Sequence, residues 1–350
     1  MASKRTEKER FRNRPTLVDL AAHAGVSRST VSLVLRGSRL PARETRERVL
    51  KSIAALGYIY DRTAARLRAR HSNTIGLVVC EITNPFYAEL TAGIDMMLDE
   101  AGWVPFLANT GDSPERQQRL VQRMCEHGID GLILCPAEGT APDLFDWLHL
   151  HGPPVVQALR FVGQANSDYA GADNRRGMMM AVEHLIALGH RRIAFIGNVA
   201  RTSVSADRFA GYLDALRASG IDNDERLVRK GPPTIESGAG SIIDLMKGPK
   251  RPTAVVCFND IVAFGAILGL QSLGLHVPRD CSVAGFDDVR EASLWQPALT
   301  TVSIKPRQIG EEAARLLLAR IAAPDGPARR VVMPPELKVR ASSGPPPAKS

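Results

Sequence analysis

From Thr74 onward, apolar runs of four to eight residues alternate with longer stretches of helical apolar spacing. A strand covered on both faces reads as continuous apolar sequence, and parallel neighbours need a crossover of about a dozen residues, usually a helix. The spacing predicts strands over 75–80, 104–108, 131–135, 155–159, 192–197, 254–258, 282–286 and 301–304. Helices are predicted over 86–101, 115–127, 178–188, 208–219, 261–273 and 309–321. The expected fold class for this part is α/β: two doubly wound parallel-sheet lobes with a cleft between them.

The residues before it differ in charge and in pattern. Residues 1–72 carry 17 Lys+Arg against 6 Asp+Glu, a net of +11, while 73–350 carry a net of −3. That asymmetry points to a polyanion partner for the N-terminal part alone. Residues 1–14 lack apolar periodicity and read as a disordered basic arm. Residues 15–60 read as three short helices. Thr16 and Asp19 fit an N-cap box, and Leu17, Leu20, Ala21 and Ala24 follow at helical spacing. Gly25 breaks that helix, and Val26 plugs the small core. Ser27 caps a second helix with Val31, Val34 and Leu35 on its buried face and Gly37 at its stop. A third starts near Pro41-Ala42, carries Val49, Ile53 and Leu56, and ends at Gly57. Two helices on a Gly turn, closed by a third, form a helix-turn-helix. Its second helix would aim Arg28 and Ser29 into a major groove, where Arg can fork onto guanine, with Leu33 against a thymine methyl. Residues 61–72, DRTAARLRARHS, favour helix by their alanines and Leu67 but carry four mutually repelling arginines. Such a segment folds best once phosphates neutralise it.

Nothing in the chain points to catalysis. There is no GxGxxG after a strand, no GxxxxGK[ST], no GxSxG, no HExxH and no metal-ligand cluster. The five cysteines lack CxxC spacing and read as reduced, mostly buried thiols. No apolar run is long enough to span a membrane and no secretory signal is expected, so the reading is cytoplasmic, with no cofactor. His184 and His190 read as solvent or cap residues. Polar residues do gather where strands end and helices begin, the place where open α/β sheets bind ligands: Asn84-Pro85-Phe86-Tyr87, Asp173-Asn174, Arg208, Asn259-Asp260 and Asp287-Asp288. Arg208 is expected to open a helix, and Arg160 to reach the cleft and favour an anionic or richly hydroxylated ligand. Each polar residue taken alone also fits a helix cap.

The string TLVDLAAHAGVSRSTVSLVLRG, continued by RETRERVLKSIAALGY, resembles the DNA-binding headpiece of the LacI family of bacterial transcription regulators. NPFY, the RFAG of 208–211, FND and GFDD extend the likeness to about residue 340 in the family's order. The resemblance implies an all-α helix-turn-helix headpiece plus a periplasmic-binding-protein-like effector domain over 73–340. Arg28, Ser29 and Leu33 then occupy base-reading positions, and Thr16, Ser27, Thr30 and Ser32 cap helices or touch phosphates. Residues 61–72 become a hinge helix paired across a homodimer in the minor groove. Leu67 wedges between base pairs, with Ala64 and Arg68 also on the DNA; Tyr60 departs from the family's usual proline. Phe86, Tyr87, Arg208, Asn259 and Asp287 would line the cleft, joined by Arg160 and Asp173, while Pro233 replaces an aromatic of several relatives. The chain would cross between lobes near residues 173, 304 and 332, and 341–350 would be a disordered tail. The expectation is a repressor on a pseudo-palindromic operator, controlled by a sugar or sugar derivative, with a nucleobase as the alternative. The rival class is a cytoplasmic sugar-binding or sugar-modifying protein with a basic tail.

Overall fold

The computed structural model describes residues 15–35, 38, 40–58, 72–163, 166–197 and 202–347. The chain divides into two compact units, Met1–Ser72 and Asn73–Ser350. The arm, Gly37, Tyr60 and the hinge positions Ala64, Leu67 and Arg68 lie outside the described residues.

In the N-terminal unit, α1 (Leu17–Ala24), α2 (Arg28–Leu35) and α3 (Arg43–Leu56) enclose Leu20, Ala21, Val31, Val34 and Val49. Thr16 and Asp19 form the reciprocal box: the Thr16 N–H donates to the Asp19 carboxylate at 2.8 Å, and the Asp19 N–H to Thr16 Oγ1 at 3.3 Å. Gly25 takes φ 63°, a conformation that costs glycine little, and the Val26 N–H returns to the Ala21 carbonyl. Ser27 Oγ accepts from the Thr30 N–H at 3.1 Å and starts α2. The third helix starts at Arg43 rather than at the proline, and Ala42 offers no side-chain cap.

The second unit holds two six-stranded sheets. In chain order its elements are β1 (Thr74–Val79), α4 (Pro85–Glu100), β2 (Val104–Asn109), α5 (Pro114–Glu126), β3 (Gly131–Leu134), α6 (Asp143–His151), β4 (Val155–Ala158), β5 (Asp168–Ala172) and α7 (Asn174–Ala187). There follow β6 (Ile193–Gly197), α8 (Ser203–Ala218), β7 (Val228–Lys230), α9 (Ile235–Lys247), β8 (Ala254–Cys257), α10 (Asp260–Ser272), β9 (Ser282–Asp287), α11 (Arg290–Leu294), β10 (Thr300–Ser303), α12 (Pro306–Ala322), β11 (Arg330–Met333) and β12 (Glu336–Lys338). The sheets are ordered β11-β5-β4-β3-β1-β2 and β12-β10-β9-β8-β6-β7. Every pairing is parallel except β10 with β12. The chain passes between sheets after β5, after β10 and between β11 and β12, so the first lobe is discontinuous. In that lobe α4 and α12 pack backbone against backbone. A Cβ at Gly93 would strike the Arg307 carbonyl, and one at Gly310 the Leu90 carbonyl.

Four expectations need correcting. Among the described residues this unit has twelve strands, not eight. β7, β11 and β12 are short edge strands of mixed burial, and β5 reads DYAGA, with little of the β-branched content that marks a strand. Arg208 does not open its helix. Thr202 accepts from the Ser205 N–H at 3.1 Å and starts α8 five residues ahead of Arg208. His190 is fully buried, and its ring bonds Thr253 Oγ1, Ser282 Oγ and the Gly344 carbonyl. The tail expected to be disordered is held in place over 341–347, and 348–350 lie outside the described residues. The Ser342 hydroxyl accepts from the Thr300 N–H at 2.7 Å and donates to the Val283 carbonyl at 2.6 Å. The segment is held by hydrogen bonds to its serine hydroxyls as well as its backbone, Ser343 Oγ meeting Thr300 Oγ1 at 2.8 Å and His184 Nε2 at 2.9 Å.

Candidate functional site

The carboxyl ends of the two sheets face each other across a cavity of about 520 Å³. On the first-lobe wall, Asn84 ends the loop after β1, and its Oδ1 accepts from the Phe86 N–H at 3.0 Å. With Pro85 in the first turn, this cap fixes where α4 begins, and so places Phe86 and Tyr87. Their rings meet edge to face at 5.7 Å and are largely buried in the cavity wall. Arg160, two residues past β4, forks onto Asp112, with Nη1–Oδ1 at 2.6 Å and Nη2–Oδ2 at 3.2 Å. Burial works to raise the Asp112 carboxyl, but the Arg160 guanidinium holds it below its ordinary range. Arg160 Nη1 also reaches the Pro136 carbonyl at 3.3 Å and Cys80 Sγ at 3.5 Å.

The second-lobe wall is organised around Arg208, which is 4% exposed. Its Nε donates to Asn174 Oδ1 at 2.9 Å, Nη1 to the Phe258 carbonyl at 2.7 Å and Nη2 to Asp287 Oδ1 at 2.9 Å. The guanidinium lies over the Phe286 ring, 3.7 Å from its centroid. Burial pushes the Asp287 carboxyl up to about 6 although Arg208 pulls it down. Asp287 and Asp288 both take positive φ, 112° and 55°. That left-handed turn is pinned from both sides. Arg340 Nη2 donates to Asp288 at 2.7 Å, and buried Asp260 accepts from the Val289 N–H at 2.9 Å and from the Thr301 hydroxyl at 2.5 Å. Burial, with Asp287 nearby, raises the Asp260 carboxyl well above its usual range. Asn259 caps α10, its Oδ1 accepting from the Val262 N–H at 3.0 Å, and also faces the cavity.

Of the residues singled out in the sequence, Phe86, Tyr87, Arg160, Arg208, Asn259 and Asp287 line this cavity together, and so does Pro233. Asp173 does not. Its carboxylate caps α7 by accepting from the Arg176 N–H at 2.9 Å, its side chain is exposed, and the next residue, Asn174, takes the place in the wall. Sequence reasoning missed Cys80, Glu81, Asp112 and Glu236 in the lining. Asp112 had a usable signal, since it lies in the Thr110-Gly111-Asp112 turn that follows β2. Arg160 has no free charge for an anion, because Asp112 neutralises it. No group of three or more His, Cys, Asp or Glu among the described residues is placed to hold a metal ion.

In the N-terminal unit the second helix presents polar side chains beside its cap. Arg28 and Ser29 are exposed in the first turn of α2, and Leu33 is half-buried one turn on. Thr16 and Ser27 act as caps, and Ser27 Oγ also meets Ser29 Oγ at 2.7 Å and Thr30 Oγ1 at 2.8 Å. Ser32 lies on the same helix, partly exposed.

Residues 16–61 match the family described as bacterial regulatory proteins, lacI family, and residues 182–343 match the periplasmic binding protein-like domain. The ribose operon repressor of Haemophilus influenzae is 34% identical over 328 residues, covering 93% of this chain and 98% of that protein. Among solved structures, a complex of the transcriptional regulator CelR with cellobiose is 34% identical with a TM-score of 0.72, covering 94% of this chain and 100% of the other. The lac repressor dimer bound to operator and the anti-inducer ONPF is 26% identical with a TM-score of 0.85, covering 95% and 100%.

Proposed function

The chain belongs to the LacI family of bacterial regulatory proteins, and on that premise we propose which of its residues read DNA and which class of effector it obeys. It is a DNA-binding transcriptional repressor under small-molecule control. The headpiece is assigned to 15–60, the arm to 1–14, the hinge to 61–72 and the effector and dimerisation domain to residues 73 onward. Arg28, Ser29 and Leu33 read bases. Thr16, Ser27, Thr30 and Ser32 present their hydroxyls or helix N-termini to phosphates, which set register but carry no sequence information. Leu67, flanked by Ala64 and Arg68, opens a base step at the operator centre, so deformability is read as well as sequence. The exposed edge strand β2, with Val104, Phe106 and Leu107 each more than 40% exposed, supplies an apolar face for the homodimer.

The effector is an uncharged polyhydroxylated molecule, a sugar or a close derivative. One observation carries this reading: each cavity wall presents an arginine already paired with a carboxylate, Arg160 with Asp112 and Arg208 with Asp287. Such pairs leave lone pairs and N–H groups for hydroxyls but no uncompensated positive charge for a phosphate or carboxylate. Glu81 and Glu236, also in the lining, disfavour an anion further. Ligand bound to both walls favours their approach. The three strands of chain that join the lobes absorb that movement, and operator affinity follows. The coupling cannot exceed the effector's differential affinity for the two states, typically about 1–3 kcal/mol. The relatives are regulators, and the chain acts by binding rather than by catalysis, in the cytoplasm where its DNA lies. A thermal-shift screen of neutral pentoses, hexoses and disaccharides against sugar phosphates and purines tests the effector class. A neutral sugar should raise Tm; a shift confined to anions or purines would overturn the assignment.

A further inference from the structure

Cys80 directly follows β1, and Cys135 directly follows β3, the neighbouring parallel strand paired Val78 with Leu134. Their Sγ atoms lie 3.5 Å apart. Both side chains are buried, yet Cys80 forms part of the effector cavity wall. The pair has a polar surround that a packing role does not require: Arg160 Nη1 at 3.5 Å from Cys80 Sγ, the Tyr87 hydroxyl at 3.8 Å from Cys135 Sγ, and Asp112 behind Arg160. The thiol of Cys80 hydrogen-bonded to Cys135, with Arg160 nearby, holds the Cys135 thiol below its ordinary range despite burial. Cys135 differs in this from Cys80, whose thiol the bond to Cys135 and burial push well up, and from Cys257 and Cys281 in the second lobe, which burial pushes up. Thiolate character governs thiol reactivity.

We propose that Cys80, in the wall of the effector cavity, and Cys135, buried behind it, form a dithiol oxidation site, converted by a peroxide into an intrachain disulfide. The Cys135 thiolate attacks one peroxide oxygen. The O–O bond breaks, leaving a sulfenic acid on Cys135, and the departing oxygen takes up a proton as water. Cys80 sulfur then attacks the sulfenic sulfur, the S–O bond breaks, and the Cys80 proton leaves with the hydroxide as a second water. Two thiols lose two electrons and two protons in all, and hydrogen peroxide is reduced to two waters. The sulfurs have to close by about 1.5 Å to reach bonding distance. Both sit just past the ends of their strands with backbone groups still bonded, the Cys135 N–H to the Val78 carbonyl at 2.9 Å and the Cys80 carbonyl to the Asp112 N–H at 3.1 Å, so rotation of the two side chains has to supply the closure. The bond withdraws Cys80 from Arg160 and so alters the wall that meets the effector. Formation of the disulfide does not depend on the effector assignment, whereas its consequence for ligand affinity does.

The test treats the native full-length chain with hydrogen peroxide, unfolds it in an alkylating agent and maps the thiols by mass. The expected result is a fall from five alkylated cysteines to three, with the Cys80 and Cys135 peptides cross-linked, reversed by dithiothreitol and absent in both Cys80→Ala and Cys135→Ser. Five alkylated cysteines, a cross-link to any other cysteine, or separate sulfinic acids would overturn it. The oxidised and reduced chains are then compared in the same panel of sugars and purines. A ligand shift reduced at least several-fold on oxidation supports the link to the cavity, and equal shifts sever it. If no compound shifts the reduced chain, the effector assignment fails while the thiol map still decides the oxidation site.

Discussion

Arg208 and Asp287 form an ion pair of 2.9 Å in which the two side chains are only 5% and 7% exposed. The pair joins α8 to the end of β9 and forms the floor of the cavity. Removing one partner leaves the other charge buried and uncompensated, which typically costs about 3–5 kcal/mol. Asp287→Ala should therefore lower the stability of the effector domain by about that amount and abolish the effector-induced rise in Tm. Urea unfolding followed by far-UV circular dichroism measures the first effect, and the thermal-shift panel the second. A variant as stable and responsive as the parent would remove Asp287 from the site.

The same carboxyl gives a pH signature. Burial raises Asp287 to about 6 in the fold, while an unfolded aspartate titrates near about 3.9. Between about pH 4 and 6 the folded chain thus holds a proton that the unfolded chain has released. Asp287's own contribution favours folding as the pH drops through that window and is lost above it. Ligand binding has the opposite sign, because a protonated carboxyl no longer accepts from hydroxyls with both oxygens. Effector Kd should rise as the pH falls below about 6, approaching tenfold per unit, and Asp287→Asn should flatten the profile. Isothermal titration from pH 5 to 8 reads both.

Asp260 never needs to touch the ligand to matter. Its two oxygens accept from Val289 and Thr301 and hold the Asp287–Asp288 turn in its left-handed conformation. Asp260→Ala orphans a buried N–H and a hydroxyl, a loss of about 1–3 kcal/mol for each buried group left unsatisfied. Amide exchange at Val289 should speed up in parallel with weaker effector binding. Weak binding with unchanged exchange would contradict this positioning role.

Specificity in the headpiece should divide between the first turn of α2 and the cap of α1. Arg28→Ala should cost about 1–3 kcal/mol at one base pair and relax the preference there. Thr16→Ala should instead cost about 1 kcal/mol of headpiece stability through the lost N-cap and weaken all sequences alike. Mobility shifts on the parental operator and single-base variants separate the two patterns.

Truncation after Arg340 tests the ordered tail. It removes the Ser342 contacts to Val283 and Thr300 and the Gly344 carbonyl that His190 meets. The second unit should melt several degrees lower; an unchanged Tm would show that the tail adds nothing.

Much of this architecture was legible because it rests on local chemistry. Thr16, Gly25 and Ser27 announce the helix-turn-helix by capping and by positive φ, and β1 or β8 by unbroken apolar runs. The cleft residues at strand ends were legible for the same reason, since the caps Asn84 and Asn259 sit beside the ligand wall. What escaped notice depends on partners distant in sequence. β11 is a strand only because β5 lies beside it, and Ser342 is buried only because β9 and β10 offer it bonds. Asp173 and Asn174 are adjacent in sequence, and no local pattern says which one caps α7 and which faces the cavity. The Arg160–Asp112 pair spans loops after two different strands, so the neutrality of the cavity could not be read before the fold brought them together.

The most direct measurement is operator affinity by fluorescence anisotropy, on duplex from the chain's own upstream region at ~150 mM salt, with and without the neutral sugar that raises Tm. Binding should be specific, with a Kd that changes by about 5- to 150-fold with the sugar and does not change with it in Asp287→Ala. Equal, weak binding to every duplex, or a sugar effect that survives Asp287→Ala, would contradict it.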